Sequence, residues 1–273
     1  MEYVRVFSPS LLVVVVLTLH PQIPGVTLAS QWSGMTREQR QEVCIKIAQI
    51  WAQLFSLRFP SVGSLYEAAL SGPVNNGVTI GPMTVIVGPM TFIPSPRGDR
   101  TAPPDPSRCG PFTSLKEWLL AIARLDMAFG DPRPLSETVR GFIALVVADI
   151  EAAPDALFGN PRTSAIVLEH IDLLPHNVLV RPDAPTDVLA IIDWEGARTV
   201  PLWAVQPRFV NQCLDEYEEY VALIERTLGE LVPAWADARN GEECREARRL
   251  YVRAHTSTWD PESVDPDWTI GPM

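Results

Sequence analysis

Three polar side chains interrupt an apolar stretch in the second half of the chain. Asp172 follows the run IVLEHI, Asn177 stands five residues later at the start of NVLV, and Asp193 follows VLAII. Phosphoryl transfer needs a carboxylate that orients or deprotonates the attacking hydroxyl, and oxygen ligands that hold Mg²⁺ against the phosphates. Asp172 suits the first role, whereas Asn177 and Asp193 suit the second. The spacing therefore predicts a phosphoryl-transfer site.

Short strands and long helices are predicted around these residues. The clearest helix covers 36–57, where Thr36 and Gln39 match a capping box and apolar residues recur at helical spacing. Further helices are predicted at 114–129, 135–152, 214–231 and 242–255. Short β-prone runs occur at 78–87, 165–168, 177–180 and 188–192. The chain is therefore predicted to be an α+β protein, mostly helical, with a small strand cluster at 166–193.

Composition limits the class of protein. The chain has 273 residues, of which 47% are hydrophobic and 20% charged, so it can bury a core. The net charge of −11 argues against a nucleic-acid partner. The four cysteines have neither C-x-x-C nor zinc-ligand spacing, which favours reduced thiols. We therefore expect a cytoplasmic protein that binds neither nucleic acid nor membrane.

The first 22 residues differ in character from the rest. The run LLVVVVLTL at 11–19 is too short to span a bilayer, but it is compatible with a secretory signal or with a buried strand. A third interpretation is a translated intron at 4–22, because its first codon must begin with GT and its last can end with CAG. Removing it gives the uninterrupted text MEYIPGVTL. The predicted division is an atypical N-terminal segment at 1–22, a main domain at 23–256 and a C-terminal tail at 257–273.

The two polar loops carry a family resemblance. HIDLLPHN at 170–177, followed by IIDWEGA at 191–197, resembles the catalytic pattern of the aminoglycoside phosphotransferase and choline-kinase branch of the protein-kinase-like superfamily. Segments at 23–28, 54–66, 110–122 and 201–204 are similar to fungal members. The resemblance covers roughly 23–209. It implies the large, C-terminal lobe of a kinase-like enzyme that phosphorylates a small hydroxylated molecule with ATP.

The resemblance also implies roles for individual residues. Asp172 would be the catalytic base or the aspartate that orients the hydroxyl. Asn177 and Asp193 would be the Mg²⁺ ligands, and with the metal they would bind ATP. Mg²⁺ and ATP are therefore the expected cofactors.

Neighbouring residues have lesser expected roles. His170 would be a structural residue that positions the first loop, and Glu195 would assist a metal through water. His176 and Arg181 are interpreted as solvated side chains. Leu174 stands where the family often has histidine, but that position is not one of the metal ligands.

The small N-terminal lobe of such enzymes is not apparent in this sequence. No glycine-rich phosphate loop precedes Ile23, no lysine precedes Thr36, and the first lysine, Lys46, falls inside the predicted core helix. We therefore expect this lobe to be missing or vestigial, and Mg²⁺–ATP binding to be weak or absent. Two alternatives stay open: a non-catalytic remnant that binds a small molecule or a partner protein, and an incomplete gene model of a full kinase.

Overall fold

The structure is a computed structural model, which describes residues 4–5, 16–17, 23–67, 78–80, 83–90, 105–126, 135–194, 196–207, 209 and 217–256. The predicted tail at 257–273 lies outside the described residues, as does the N-terminal segment apart from two short strands. The helices are α1 (Leu28–Gln31), α2 (Arg37–Ser56), α3 (Leu115–Ala123), α4 (Glu137–Ala152), α5 (Tyr217–Leu231), α6 (Pro233–Asn240) and α7 (Glu242–Thr256).

The strands form two antiparallel sheets and a small ribbon. Their bounds are β1 (Val4–Arg5), β2 (Val16–Leu17), β3 (Val26–Thr27), β4 (Gly63–Glu67), β5 (Val78–Ile80), β6 (Met83–Gly88), β7 (Ile166–Glu169), β8 (Val178–Arg181), β9 (Ala184–Ile191) and β10 (Arg198–Pro201). One sheet has the order β5-β6-β4-β10-β7 and the other β3-β8-β9, while β1 and β2 form the ribbon. The predicted α+β class is confirmed, with more residues in helices than in strands.

The capping box predicted for the first long helix is present. The Thr36 hydroxyl accepts from the Gln39 backbone N–H at 3.3 Å, and the Gln39 side chain accepts from the Thr36 N–H at 2.9 Å. The buried face of α2 carries Val43, Cys44, Ile47, Ala48, Trp51, Leu54 and Phe55. This face packs against α5, β7 and β9, so α2 supports the strands that carry the polar loops.

Two predictions about the elements were wrong. The cluster predicted at 166–193 belongs to a larger arrangement, because β4 and β10, which were not predicted, join β7 to the strands β5 and β6 that were predicted at 78–87. The helix predicted at 114–129 ends at Ala123. Its end has a local cause: Leu125 adopts a left-handed backbone with φ of 63°, which a continuing right-handed helix does not allow.

The last described helix, α7, packs against α3, α4 and α6. Its Tyr251 ring stacks on Trp118 of α3, with centroids 5.4 Å apart, and meets Trp203 edge-on. Trp118 and Trp235 are among the largest fully buried side chains. Among the described helices, none has both the length and the apolar composition required to cross a membrane.

Candidate functional site

Two loops leave the sheets at the predicted site. The first loop, residues 170–177, runs from β7 to β8, and the second, residues 192–197, runs from β9 to β10. Strands β8 and β9 form a hairpin in which Val178 faces Ile191. Immediately beyond this pair, the Ile192 N–H donates to the Asn177 carbonyl at 2.9 Å. The hairpin therefore holds the end of the first loop against the start of the second.

Asp172 and Asn177 are in direct contact. The Asn177 amide nitrogen donates to the Asp172 carbonyl at 2.8 Å and to its carboxylate oxygen Oδ2 at 3.0 Å. Asn177 is buried, whereas the Asp172 side chain keeps 44% of its surface exposed. A buried amide therefore orients a carboxylate that an external reactant can reach.

Asp193 follows Ile192 on the second loop and is exposed to solvent. Its backbone has φ of 60°, and among the described residues only Leu125 is another non-glycine with positive φ. Such a backbone is sterically costly for most side chains, is tolerated best by Asn and Asp, and is concentrated at functional sites. The strained backbone therefore lies at one of the three positions that the sequence predicts for phosphoryl transfer.

The His170 imidazole joins the two loops. Its Nε2 lies 3.1 Å from the Ile192 carbonyl, and its Nδ1 accepts from the Asp172 N–H at 3.3 Å. Burial lowers the pKa of His170, opposed by the hydrogen bond to Ile192 and by the negative charges of Asp172 and Asp193. Both carboxylates therefore act on one imidazole. A neutral ring with the proton on Nε2 satisfies both hydrogen bonds.

The Trp194 indole completes the link between the loops. Its ring meets His170 edge-on, with centroids 4.7 Å apart, and its Nε1 donates to the Ile191 carbonyl at 3.0 Å. Because 40% of Trp194 is exposed, this contact lies at the surface of the site. Trp194 thus connects the second loop to the first through a ring contact that spectroscopy can follow.

His176, interpreted from the sequence as a solvated side chain, is exposed and also contacts another residue of the first loop. Its Nε2 lies 3.3 Å from Asp172 Oδ2, the same oxygen that Asn177 contacts, although the ring remains exposed. Residues 172–176 do not form an α-helix, so the four-residue spacing gave no signal for this contact. Arg181 does remain exposed and forms a long ion pair with Asp187 at 3.6 Å. Glu195 lies outside the described residues.

Lys46 is directed away from the two loops. Its ammonium donates to the Thr186 carbonyl at 2.7 Å and pairs with Glu42 on its own helix. Lys46 also lines an open groove of about 450 Å³ between α2 and β9, at the end of the hairpin opposite Asn177. This groove has no acidic pair beside an amide, so the chemistry predicted from the sequence belongs to the loops rather than to the groove.

The outer face of the three-stranded sheet forms a floor beside the loops. Thr27, Leu179 and Ala190 lie side by side on β3, β8 and β9 and are only partly buried. The alternate residues Val178 and Val180 are fully buried on the opposite face. Leu179 lies two residues after Asn177, which directly precedes β8. An apolar surface therefore adjoins the polar loop residues.

The loop residues fit a magnesium–nucleotide complex. In the part of the chain that the structure describes, no three Asp, Glu, His or Cys side chains gather as a metal site. Mg²⁺ does not require such a group, since it is usually held by one or two carboxylates together with waters and substrate phosphates. The Asn177 amide nitrogen is bound to Asp172, so its oxygen is the atom available to a cation. The exposed Asp193 carboxylate on the second loop is another oxygen group of the kind that Mg²⁺ prefers.

The chain has similarity to two fungal proteins. No protein-family model matches it. Two subtelomeric hrmA-associated cluster proteins, from two strains of Aspergillus fumigatus, are each 23% identical to it over 225 residues. The matched region covers 67% of this chain and 43% of each relative, so the chain spans less than half of the relatives' length. Their names describe a gene cluster and state no activity.

Proposed function

We propose that this chain is the large lobe of a kinase-like phosphotransferase, which transfers a phosphoryl group from ATP to a hydroxyl of a small molecule. The observation that carries the proposal is the Asp172 carboxylate held by the buried Asn177 amide, with Asp193 as the second residue of the neighbouring loop. The resemblance of both loops to the aminoglycoside phosphotransferase and choline-kinase branch supports the same conclusion. The activity of the longer fungal relatives is not established by the similarity, so the proposal stands on the site.

In the proposed reaction Asp172 accepts a proton. Its Oδ2 is engaged by Asn177 and His176, which leaves Oδ1 to bind the hydroxyl of the substrate. The hydroxyl oxygen forms a bond to the γ-phosphorus, its proton passes to Asp172, and the bond between that phosphorus and the bridging oxygen breaks to release ADP. The chain thus contributes positioning and a proton acceptor, which is most of what this reaction requires of a protein.

The remaining parts of the site would hold the nucleotide. Asn177 Oδ1 and the Asp193 carboxylate would bind Mg²⁺, which neutralises charge on the phosphates when it is bound. The half-buried row of Thr27, Leu179 and Ala190 offers an apolar surface to the planar base. A base resting on this row would leave its phosphates to lie further along β8 and β9, at the strand ends next to Asn177 and Asp193.

Titration of the chain with ATP, in the presence and absence of Mg²⁺, tests the proposal. We expect binding that depends on Mg²⁺ and is weak, with a dissociation constant of about 1 mM or above, corresponding to roughly −4 kcal/mol. The weakness follows from the absence of any lysine before Thr36, because a strand lysine normally holds the phosphates. Calorimetry that detects no effect of Mg²⁺ would favour the alternative, a non-catalytic protein that binds another molecule.

A further inference from the structure

A buried ion pair lies beneath the two loops. Arg198 Nε donates to Glu169 Oε2 at 2.7 Å, and the two side chains are only 14% and 7% exposed. The residues face each other directly across β10 and β7. A second guanidinium nitrogen, Nη2, donates to the Tyr251 hydroxyl of α7 at 3.2 Å. One arginine therefore connects both strands with the C-terminal helix.

The position of the pair along the chain distinguishes it from an ordinary core ion pair. Glu169 is the last residue before the first loop, and Arg198 is the first residue of the strand that follows the second loop. The pair thus joins the start of the Asp172 loop to the end of the Asp193 loop. The opposite ends of these loops are joined by the bond between Ile192 and Asn177.

We infer that Arg198 is a positioning residue that sets the separation of the two loops and couples it, through Tyr251, to helix α7. The expected effect of Arg198 on the reaction rests on the proposed function. In such a site, a displacement of about 1 Å lowers the rate about 10²-fold. The coupling makes α7, which contributes none of the predicted loop residues, part of the support of the site.

Arg198 is the cation that pairs with Glu169, and a histidine nearby is uncharged. His255, one turn along α7, meets the Tyr251 ring edge-on with centroids 4.5 Å apart. Burial, and then the charge of Arg198, lower the pKa of His255 to about 3, so this ring stays neutral at physiological pH. Because His255 of α7 is uncharged, it does not form an ion pair with Glu169. The ion pair of Glu169 is with Arg198, across the sheet.

Stability alone does not account for such a pair. Replacing a buried ion pair by apolar residues of similar volume is often neutral or stabilising, whereas removal of one partner is strongly destabilising. The double variant Glu169→Met/Arg198→Met therefore separates the two roles. It should remain folded while the fixed separation of the loops is lost.

The Trp194 indole N–H reports on that separation, because its ring contacts His170 of the other loop. We expect its ¹H–¹⁵N resonance, assigned with Trp194→Phe, to shift or broaden in the double variant. The resonances of Trp51 and Trp235, in α2 and α6, should stay in place. The variant Tyr251→Phe removes one hydroxyl and keeps the ring stack, so it should shift the Trp194 resonance in the same direction by a smaller amount.

An unmoved Trp194 resonance in Tyr251→Phe and in a folded double variant would overturn the inference. A double variant that does not fold leaves Tyr251→Phe to decide. At the predicted metal site, Mg²⁺–ATP binding should weaken about 10-fold or more in the double variant. Loss of residues that support metal ligands from outside has this effect at known metal sites. If the wild-type chain shows no Mg²⁺–ATP binding while the Trp194 shift is present, the proposed function fails and the coupling of the loops stands.

Discussion

The Asp172→Asn variant is expected to transfer the phosphoryl group about 10²- to 10⁴-fold more slowly than the wild-type chain, since this is the usual contribution of a positioned proton acceptor. Asparagine keeps the size of the side chain but cannot accept the hydroxyl proton. The fold should be unaffected, because the Asp172 side chain is 44% exposed. Formation of ADP from Mg²⁺–ATP, with choline or an aminoglycoside as the hydroxyl compound, measures this rate over long incubations.

Asp187→Asn is the matched control for this experiment. Asp187 is a partly exposed carboxylate on the same hairpin, but it pairs with Arg181 at the far end from the loops. Its variant should form ADP at the wild-type rate. Equal rates for wild type and Asp172→Asn would remove Asp172 from the chemistry and with it the proposed mechanism.

The Asp193→Gly variant should lose cation-dependent ATP binding by about 100-fold or more, since loss of even an outer supporting residue costs 10- to 100-fold in metal affinity. Its stability should not fall in the same way. Glycine adopts positive φ without steric cost, so the change relieves a backbone strained at φ of 60° by about 1 kcal/mol. Urea unfolding alongside ATP titration measures both effects.

Leu125→Gly provides the comparison for Asp193→Gly. Leu125 has nearly the same backbone conformation, with φ of 63°, and follows helix α3 rather than a predicted site strand. This variant should leave ATP binding unchanged. If Asp193→Gly keeps full binding, or if Leu125→Gly loses it equally, the assignment of Asp193 as a metal ligand is wrong.

Local patterns predicted the helices well, because their signals lie within a few residues. The Thr36–Gln39 box and the apolar spacing that follows it place α2 at Arg37–Ser56. The early end of α3 was missed, because the left-handed backbone at Leu125 has no signal in a leucine. Strands β4 and β10 of the larger sheet were missed for a different reason. The Gly63 N–H donates to the hydroxyl of Thr199, 136 residues away, and such pairing leaves no local pattern.

The site shows the same division between local and distant information. The spacing of Asp172 and Asn177 predicts residues of one loop, which the structure places in hydrogen-bond contact. The strained backbone of Asp193 and the contact of His176 with Asp172 depend on the path of the loops, which sequence spacing does not specify. The Glu169–Arg198 pair depends on β7 and β10 being neighbours, so it became visible only with the sheet.

Mn²⁺–ATP, as a paramagnetic probe, tests most directly whether the two loops bind a metal–nucleotide complex. Nuclear magnetic resonance detects weak binding, and a manganese ion held by Asn177 and Asp193 would lie near the Trp194 indole, next in sequence to Asp193. We expect selective broadening of the Trp194 resonance in the wild-type chain, little effect on Trp51 and Trp235, and no selective broadening in Asp193→Gly. Uniform broadening of all three resonances, or selective broadening that persists in Asp193→Gly, would contradict a magnesium–nucleotide site at these loops.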